Sequence, residues 1–216
     1  MEPNLNNCYL RIATKDDKEL LIQFLKKYYF FENPFSEALV CLGGGLADKP
    51  NVSDSFMDNI DEELSIIALI PENNSIVGFI HNVEVKPSTD TTDYSKDNLS
   101  TDKKQLLDLI RHVETQVDFV EKGDREMEVV SITMHPNWTY KELGKLLLEK
   151  TINIAKEKNF KQIRAICTSA YSSELFSGCE FQCVYSVKYE DFKKVGRINF
   201  LPDLPHTHTK GMILKL

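Results

Sequence analysis

The pattern of apolar and polar positions from Val129 to Lys150 predicts a strand, a turn and an amphipathic helix in direct succession. In the strand, Val130, Ile132 and Met134 alternate with Ser131 and Thr133, the period of two that β-structure requires. After the turn, helical spacing recurs at Leu143, Leu147, Thr151 and Ile154. A helix that follows a strand directly presents free backbone N–H groups, so we expect an anionic ligand at its start.

The same patterns predict the other elements, in the order β-α-(α)-β-β-α-β-α-β-α-β-β. They are a strand over Cys8 to Ala13, a helix capped by Thr14 and Asp17 that runs to about Tyr29, a second helix after Pro34 through Val40, a hairpin of Leu64 to Ile70 with Ile76 to Val85, a helix from about Asp102 to Val120, a strand over Ile163 to Cys167, a helix near Ser172 to Gly178, and strands over Phe181 to Tyr189 and Lys210 to Leu216. This order predicts a mixed sheet with helices on its faces. Ligands of such sheets bind where neighbouring strands part, and Met134 and Cys167 end the two strands expected there.

Length and composition predict one domain over residues 1–216, since the chain has 216 residues and no internal repeat. Apolar residues make up 42% and charged residues 27%, and mean hydropathy is −0.31. No apolar run approaches the about 20 residues that a membrane span needs. The polar N-terminal segment lacks the features of a signal peptide, so we expect a cytoplasmic protein without a membrane role.

The net charge of the chain indicates which kinds of partner it binds. A net charge of −7 and a pI near 5.3 argue against nucleic-acid binding and favour a cationic small molecule. The five cysteines form no CxxC pair, and His206 and His208 have no further ligands nearby in sequence, so we expect reduced thiols and no metal.

Four segments carry a family resemblance, and they occur in the correct order along the chain: FLKKYYFFENPFSEAL, ITMHPNWTYKELGKLL, CTSAYSSELFSGCEF and LPHTHTKGMILKL. They resemble a Phe-rich segment before an acid and a proline, a strand with its acetyl-CoA loop, a CSSxYS segment, and a Pro-His-bearing C-terminal strand. These are features of the GNAT-type acyltransferases, and in particular of the insect arylalkylamine (dopamine-type) N-acetyltransferases. The resemblance covers nearly the whole chain. It implies an α/β fold with a mixed, mostly antiparallel central sheet, a splayed strand pair and helices on both faces.

The resemblance also implies that acetyl-CoA is the cosubstrate and that no metal is needed. Free backbone groups of Ile132, Thr133 and Met134 would bind the pantetheine arm, and an amide near Met134 would polarise the thioester carbonyl. Amides of the following loop and helix start would hold the pyrophosphate. The cofactor-binding residues of that loop are Thr139, Glu142, Leu143, Gly144 and Lys145.

The phosphate loop departs from the family pattern, Arg/Gln-x-x-Gly-x-Gly/Ala, whose matching positions are Thr139, Glu142 and Gly144. Only Gly144 agrees. Glu142 places a carboxylate where backbone should approach phosphate, and Lys141 and Lys145 can compensate by pairing with phosphates. Thr139 and Glu142 also match a capping box, so this segment is alternatively a well-capped helix start.

The general base departs from the pattern as well. The family places a glutamate directly before the proline of the Phe-rich segment, and here Asn33 precedes Pro34. Asn33 cannot accept a proton, so Glu32 is the candidate base, directly or through water. The alternative is that Glu32 is a solvated loop acid. Glu114, in RHVETQ, matches an acid of the corresponding family helix, with a surface role as its alternative.

Hydroxyl groups near the thioester are predicted from the third segment. Thr168 and Ser172 match two hydroxyl positions that the family uses there, and Tyr171 lies between them. We expect Tyr171 to protonate the departing thiolate, because a phenol can donate at neutral pH. The alternative is that Tyr171 packs on its helix. Family members carry this tyrosine later in the helix, at the position of Phe176.

The amine pocket is predicted beside the aromatic run from Tyr28 to Phe31. These rings hold an aryl ring or an ammonium group of the substrate. The alternative is that they pack in the core. The expected residues of the pocket are Tyr29, Phe30, Asn33, Pro34 and His206. The favoured function is acetyl transfer from acetyl-CoA to the primary amine of a small arylalkylamine or related amine, by direct attack in a ternary complex. The alternative is a degenerate GNAT fold that binds a ligand or partner without turnover. We expect a monomer whose partners are the small-molecule amine and acetyl-CoA.

Overall fold

A seven-stranded sheet forms the centre of the protein. The computed structural model describes residues 8–28, 34, 57–86, 101–117, 123–138, 140–198 and 201–216. The strands lie in the order β1-β2-β3-β4-β5-β7-β6. Their bounds are Tyr9–Ile12 (β1), Ile66–Leu69 (β2), Ile76–Glu84 (β3), Glu126–Met134 (β4), Gln162–Cys167 (β5), Gln182–Lys188 (β6) and His208–Lys215 (β7). Among the strands of the described residues, only β4 and β5 pair in parallel, which confirms the predicted mixed, mostly antiparallel sheet.

Five helices pack on this sheet within the described residues. They are Lys18–Tyr28 (α1), Thr101–Glu114 (α2), Tyr140–Glu157 (α3), Ala170–Gly178 (α4) and Tyr189–Lys194 (α5). The sequence pattern predicted the first four but not α5, and it assigned Tyr189 to a strand. A helix of six residues is too short to show a clear period, and Tyr189 and Phe192 anchor it by packing with Leu109 and Ile198. The second helix predicted after Pro34 covers residues outside the described part.

The predicted cap of the first helical segment is confirmed. The Asp17 carboxylate accepts hydrogen bonds from the Thr14 backbone N–H at 2.9 Å and from the two terminal nitrogens of Arg11 at 2.7 Å each. The hydrogen bonds from Arg11 hold the pKa of Asp17 below its usual value. This ion pair ties β1 to the start of α1.

A β-bulge in β4 sorts its side chains between the two faces of the sheet. His81 of β3 pairs with Ser131, whereas the next residue, Asn82, pairs with Val129, so Val130 is the inserted residue. After the inserted residue, the alternation of side chains between the two faces of the sheet is shifted by one residue. Polar side chains therefore share one face, which we call the β4 polar column: Glu126, Glu128, Ser131 and Thr133. The apolar side chains share the other face: Met127, Val129, Ile132 and Met134.

The expected register in which Val130 shares a face with Ile132 and Met134 is therefore wrong. Val130 is 37% exposed, whereas Met134 is fully buried. A period of two in a short apolar run does not reveal an inserted residue, because the run looks equally regular with Val130 on either face.

The two faces of the sheet are covered differently. The apolar face of β4 packs against α3 and α4 in the largest core cluster, which contains Leu143, Leu147 and Phe176. On the opposite face, α1 covers β2 and β3 through Leu21 and Leu25. α2 and the turn after it cover β5 and β7 through Val113 and Val117, which pack with Ile213. The β4 polar column lies between these two covered areas.

Gly211 permits the close approach of Val117 to β7. An ideal Cβ built on Gly211 would lie 2.2 Å from Val117 Cγ2 and 3.3 Å from Val113 Cγ1. Distances below 3.0 Å between carbon atoms force a displacement of the backbone or of the helix.

We expect Gly211→Ala to lower the free energy of unfolding by about 1–3 kcal/mol, the usual cost of overpacking a close-packed core. Urea unfolding followed by circular dichroism measures the change. The matched control is Gly178→Ala, because nothing lies within 4 Å of a Cβ at Gly178 in α4. That variant should be no less stable than the parent, since alanine is the better helix former. Equal stability of the two variants would contradict the proposed packing of Val117 on Gly211.

Candidate functional site

A V-shaped opening separates β4 from β5 in the middle of the sheet. The two strands pair from Glu126 with Gln162 as far as Val129 with Ala165. Beyond these residues β4 continues to Met134 while paired with β3, and β5 continues to Cys167 while paired with β7. The strands stop pairing with each other at the bulge of Val130. Backbone groups on the facing edges of the V are therefore available to an extended ligand.

A cleft lies in this opening. Both strands, the start of α4 and Pro34 contribute to its wall. The lining residues are Pro34, Val129, Val130, Ser131, Ile132, Thr133, Ala165, Ile166, Cys167, Thr168, Ser169, Ser172 and Phe176. Five of the residues predicted for the site meet here: Ile132, Thr133, Thr168, Ser172 and Pro34.

The start of α4 holds hydroxyl groups against the cleft. The Ser169 hydroxyl caps the helix by accepting a hydrogen bond of 2.9 Å from the Ser172 backbone N–H. The Ser172 hydroxyl lies 2.9 Å from the Ser169 hydroxyl and donates to the Ser169 carbonyl oxygen at 3.0 Å. The Thr168 carbonyl oxygen accepts a short hydrogen bond from the Tyr189 hydroxyl. These bonds fix the segment from Thr168 to Ser172, whose helix start carries a partial positive charge.

Tyr171 lies apart from the hydroxyl groups that line the cleft. Its side chain is 52% exposed, and its ring packs edge-on against His206 at a centroid distance of 5.1 Å. His206 Nδ1 accepts a hydrogen bond of 3.1 Å from the Ala170 backbone N–H. Tyr171 and His206 thus form a pair at the start of α4 and are absent from the cleft wall, whereas Ser172 lies in that wall.

The predicted phosphate loop occupies the start of α3. Glu142 and Lys145 are exposed there, and Lys145 Nζ lies 3.8 Å from the Glu149 carboxylate. Leu143 is buried in the core, so only its backbone amide is available to a ligand. Thr139 lies outside the described residues, so its predicted role as cap or phosphate ligand stays a prediction.

Gly144 has a packing reason in addition to its match with the phosphate loop. An ideal Cβ on Gly144 would lie 2.8 Å from Leu175 Cδ2. Leu175 belongs to α4, so the missing side chain allows α4 to lie close against α3. This packing places the hydroxyl groups of α4 beside the opened strands.

The aromatic segment of the predicted amine pocket falls largely outside the described residues. Tyr29, Phe30, Glu32 and Asn33 lie there, and their roles stay predictions. Pro34 is buried and lines the cleft. Tyr28, the first of the four aromatic residues, packs against Phe24 at 5.0 Å and His135 at 4.8 Å between ring centroids. This ring is therefore half-buried and packs against the core.

A buried charge cluster on the β4 polar column was missed from the sequence. The Glu128 carboxylate accepts two hydrogen bonds from Arg164, at 2.7 and 3.0 Å, and Glu126 lies 3.4 Å from the same guanidinium group. Gln162 donates to Glu126 at 2.6 Å. Burial, together with the charge of Glu128, raises the pKa of Glu114. The alternation of Glu126 and Glu128 with Met127 and Val129 was the signal that could have revealed this cluster.

Three further polar residues extend this face toward the open end of the V. Ser131 and Thr133 are 8% and 2% exposed, and neither hydroxyl has a hydrogen-bond partner within the structure. His81 lies opposite Ser131 on β3 and stacks on Phe79. Burial lowers the pKa of His81 to about 4, so its ring is neutral at pH 7.

Among the described residues that line the cleft, Cys167 is the one thiol, and its protonation state limits the chemistry. Burial raises the pKa of Cys167 to about 12. Since the thiolate is the nucleophilic form, Cys167 is a poor candidate for a covalent acyl carrier. Cys8, Cys167, Cys179 and Cys183 are all free thiols.

No family model matches the sequence. The structure is similar to arylalkylamine N-acetyltransferase 2 from Aedes aegypti, with a TM-score of 0.82 and 19% identity over 97% of this chain and 99% of that chain. It is also similar to a Drosophila melanogaster polyamine N-acetyltransferase that forms N-acetylagmatine, with a TM-score of 0.75 and 21% identity over 97% and 100% of the two chains.

A more distant similarity concerns a protein solved with the cosubstrate. A phosphinothricin acetyltransferase of the GNAT superfamily from Sinorhizobium meliloti, in complex with acetyl-CoA, matches with a TM-score of 0.54 and 14% identity over 97% of this chain and 89% of that chain. The protein therefore has the GNAT fold. Its resemblance to the insect arylalkylamine N-acetyltransferases is confirmed at the level of the fold across nearly the whole chain.

Among the described residues, no three or more His, Cys, Asp and Glu side chains converge in a way that could hold a metal ion. None of the helices in the described ranges combines the length and apolar character needed to cross a bilayer.

We expect the folded protein to show a large difference in thiol reactivity between Cys183 and Cys167. Cys183 is exposed on β6, whereas Cys167 is 2% exposed and has its pKa raised to about 12. Iodoacetamide at pH 8 should therefore modify Cys183 in the folded protein and Cys167 only after unfolding, as measured by mass spectrometry of peptides. Alkylation of both thiols at the same rate in the folded protein would contradict the assignment of Cys167 as an inert core residue.

Proposed function

We propose that this protein transfers an acetyl group from acetyl-CoA to the primary amine of a small arylalkylamine or related amine. The observation that carries the proposal is the V between β4 and β5, which opens at Val130 and contains a cleft lined by hydroxyl groups. The GNAT fold supports the reaction class, and the acetylated amines named for the similar structures support a small amine as acceptor.

The residues of the V suit an extended acyl-thioester ligand. Beyond Val129, β4 has no strand partner on its β5 side, so the pantetheine arm can pair with the backbone groups of Ile132 to Met134 that point to that side. The amides from Thr139 to Lys145 are proposed to bind the pyrophosphate, because the start of α3 carries a partial positive charge. The exposed Glu142 opposes this binding electrostatically, and Lys141 and Lys145 offset it.

Transfer requires a deprotonated amine, a polarised carbonyl and a proton for the departing thiolate. In the proposed reaction the amine nitrogen attacks the thioester carbonyl, a backbone amide near Met134 stabilises the oxyanion, and the carbon–sulfur bond breaks. Glu32 takes the proton that the amine nitrogen loses. The products are the N-acetylamine and CoA.

Protonation of the thiolate is proposed to involve the start of α4. The predicted donor Tyr171 is half exposed and absent from the cleft wall, whereas Ser172 and Thr168 line the cleft. We therefore assign the hydrogen bond to the departing thiolate to Ser172, and propose that the thiolate takes its proton from solvent water as CoA leaves. Thr168 lies beside it, and Tyr171 is placed with His206 at the rim. Direct attack is favoured over an acyl-enzyme because the raised pKa of Cys167 keeps that thiol protonated.

We further propose that residues 1–216 form one catalytic domain and act as a monomer in the cytoplasm. Acetyl-CoA and a small amine are its partners, without nucleic acid, membrane or metal.

A second candidate is a degenerate GNAT fold that binds a ligand or partner without turnover. It is motivated by Asn33 in place of the family's glutamate and by Glu142 in place of the loop glycine. We expect both changes to weaken catalysis or cosubstrate binding without affecting the fold.

Purified protein mixed with acetyl-CoA and a panel of amines distinguishes the two candidates. The panel contains dopamine, tryptamine, serotonin, agmatine and polyamines, and CoA release is followed with a thiol reagent. We expect amine-dependent release of CoA. We also expect acetyl-CoA at a hundredfold excess over its Kd to stabilise the fold by about 2.7 kcal/mol.

The results distinguish the two candidate functions. Stabilisation by acetyl-CoA, without CoA release in the presence of any amine, would favour the degenerate fold. Absence of both stabilisation and release would rule out the proposed acetyl transfer. Heat-denatured protein provides the control for uncatalysed hydrolysis and aminolysis of the thioester.

A further inference from the structure

We propose that Tyr189 is a positioning residue for acetyl transfer, because its hydroxyl group fixes the junction between β5 and α4 and thereby the Ser172 hydroxyl in the cleft wall. The inference rests on the proposed acetyl transfer and adds a residue to that reaction. Tyr189 itself does not line the cleft. It therefore acts through the segment that it holds, and not on the substrate.

The junction between β5 and α4 lies beyond the paired part of the sheet, so other contacts must fix its place. β5 ends at Cys167, where its pairing with β7 also ends, and α4 begins at Ala170. The Tyr189 hydroxyl donates a hydrogen bond to the carbonyl oxygen of Thr168, which can only accept one. This bond ties the junction to the first residue of α5.

Tyr189 is a rigid anchor for this bond. Its side chain is 1% exposed, and its ring packs in one cluster with Leu109 of α2, Phe192 of α5 and Ile198. Its backbone N–H donates to the Thr207 carbonyl oxygen at 3.1 Å. Burial raises the pKa of Tyr189, so the phenol stays protonated and remains a donor at neutral pH. A ring that is packed in this way has little freedom to move its hydroxyl group.

The hydrogen bonds of the helix start transmit the position of Thr168 to the cleft. Ser169 follows Thr168 directly, and its hydroxyl accepts a hydrogen bond of 2.9 Å from the Ser172 backbone N–H. The Ser172 hydroxyl donates to the Ser169 carbonyl oxygen at 3.0 Å. Because these bonds hold Ser169 and Ser172 together, a displacement of Thr168 carries the Ser172 hydroxyl with it. A misplacement of about 1 Å in a reacting site can lower a rate about a hundredfold.

A purely structural role for the Tyr189 hydroxyl makes different predictions. A bond that only stabilises the fold changes the fraction of folded protein and leaves the rate per folded molecule unchanged. A bond that positions Ser172 changes the rate of the chemical step in a protein that is fully folded.

The test removes one oxygen atom from the protein. Tyr189→Phe keeps the ring in its apolar cluster and deletes the bond to Thr168. We expect kcat and the single-turnover rate of acetyl transfer to fall about tenfold, because the group that stabilises the departing thiolate is misplaced. We expect KM for acetyl-CoA to stay within about twofold, since the groups proposed to bind the pantetheine arm and the pyrophosphate are unchanged. Circular dichroism verifies that the variant is folded at the assay temperature.

Tyr185→Phe is the matched control. The Tyr185 hydroxyl on β6 lies 2.9 Å from His112 Nε2 and is likewise part of a partly buried hydrogen bond. Tyr185 does not line the cleft, and this bond does not reach the junction. The control should keep the kcat of the parent. An equal loss of kcat in both variants, or full activity of Tyr189→Phe, would overturn the inference and leave the proposed acetyl transfer intact.

A double-mutant cycle tests whether Tyr189 acts through Ser172. If it does, Tyr189→Phe should cause no further loss of kcat in a Ser172→Ala background, because the group that it positions is already absent. A double variant whose loss equals the product of the two single losses would contradict the inference.

Hydrogen exchange tests the anchoring even if the reaction itself fails. Measured by NMR, the amides of Ser172 and Ser173 at the start of α4 should exchange faster in Tyr189→Phe than in the parent and in Tyr185→Phe. The amide of Leu147, in the middle of α3, should exchange equally in all three proteins. Equal exchange of Ser172 and Ser173 in all three would overturn the inference. Absence of CoA release from the parent protein with every amine would instead show that the proposed function is wrong, and the exchange rates then decide whether Tyr189 fixes the junction.

Discussion

The bulge at Val130 is the constraint from which the candidate site derives. One extra residue in β4 increases the local twist, and β4 stops pairing with β5 at that point. Each strand remains held on its other side, β4 by β3 and β5 by β7. The opening therefore follows from the strand pairing of the sheet. Backbone groups that a continuous sheet would pair internally are left facing a cleft that an extended thioester can enter.

The same bulge separates polar from apolar chemistry across the sheet. Without it, the side chains after Glu128 would alternate in the wrong sense, and Ser131 and Thr133 would face the core formed by Leu143 and Leu147. With it, the core stays apolar on one side and the polar groups collect on the other. Arg164 makes the burial of Glu126 and Glu128 tolerable by charge-assisted hydrogen bonds. The polar character of this face of β4 thus follows from a single inserted residue.

The sequence was most informative where strong periodicity met recognisable segments. The strand, turn and helix from Val129 to Lys150, the hairpin, the cap at Thr14 and the strand ends at Met134 and Cys167 are all found in the structure. The order of elements and four family-like segments were enough to predict the mixed sheet with one splayed pair. Local patterns suffice here because each of these elements is long or sharply bounded.

The features that the sequence did not reveal depend on tertiary contacts. The bulge depends on how β4 pairs with β3, the packing role of Gly144 depends on Leu175 of α4, and the buried charge cluster depends on Arg164 lying beside Glu128. Tyr171 was chosen from its place between two hydroxyl residues; in the structure its ring lies against His206, and Ser172 lies in the cleft wall. Position along a chain does not specify which side of a helix start faces a ligand.

The central claim is that the gap between β4 and β5 is the acetyl-CoA site, and a crystal structure of the complex with acetyl-CoA tests it most directly. We expect the pantetheine arm to lie in the V and to pair with backbone groups of β4 beyond Val130, with the pyrophosphate at the start of α3. A structure in which acetyl-CoA binds elsewhere, or in which β4 and β5 pair along their whole length, would contradict the account.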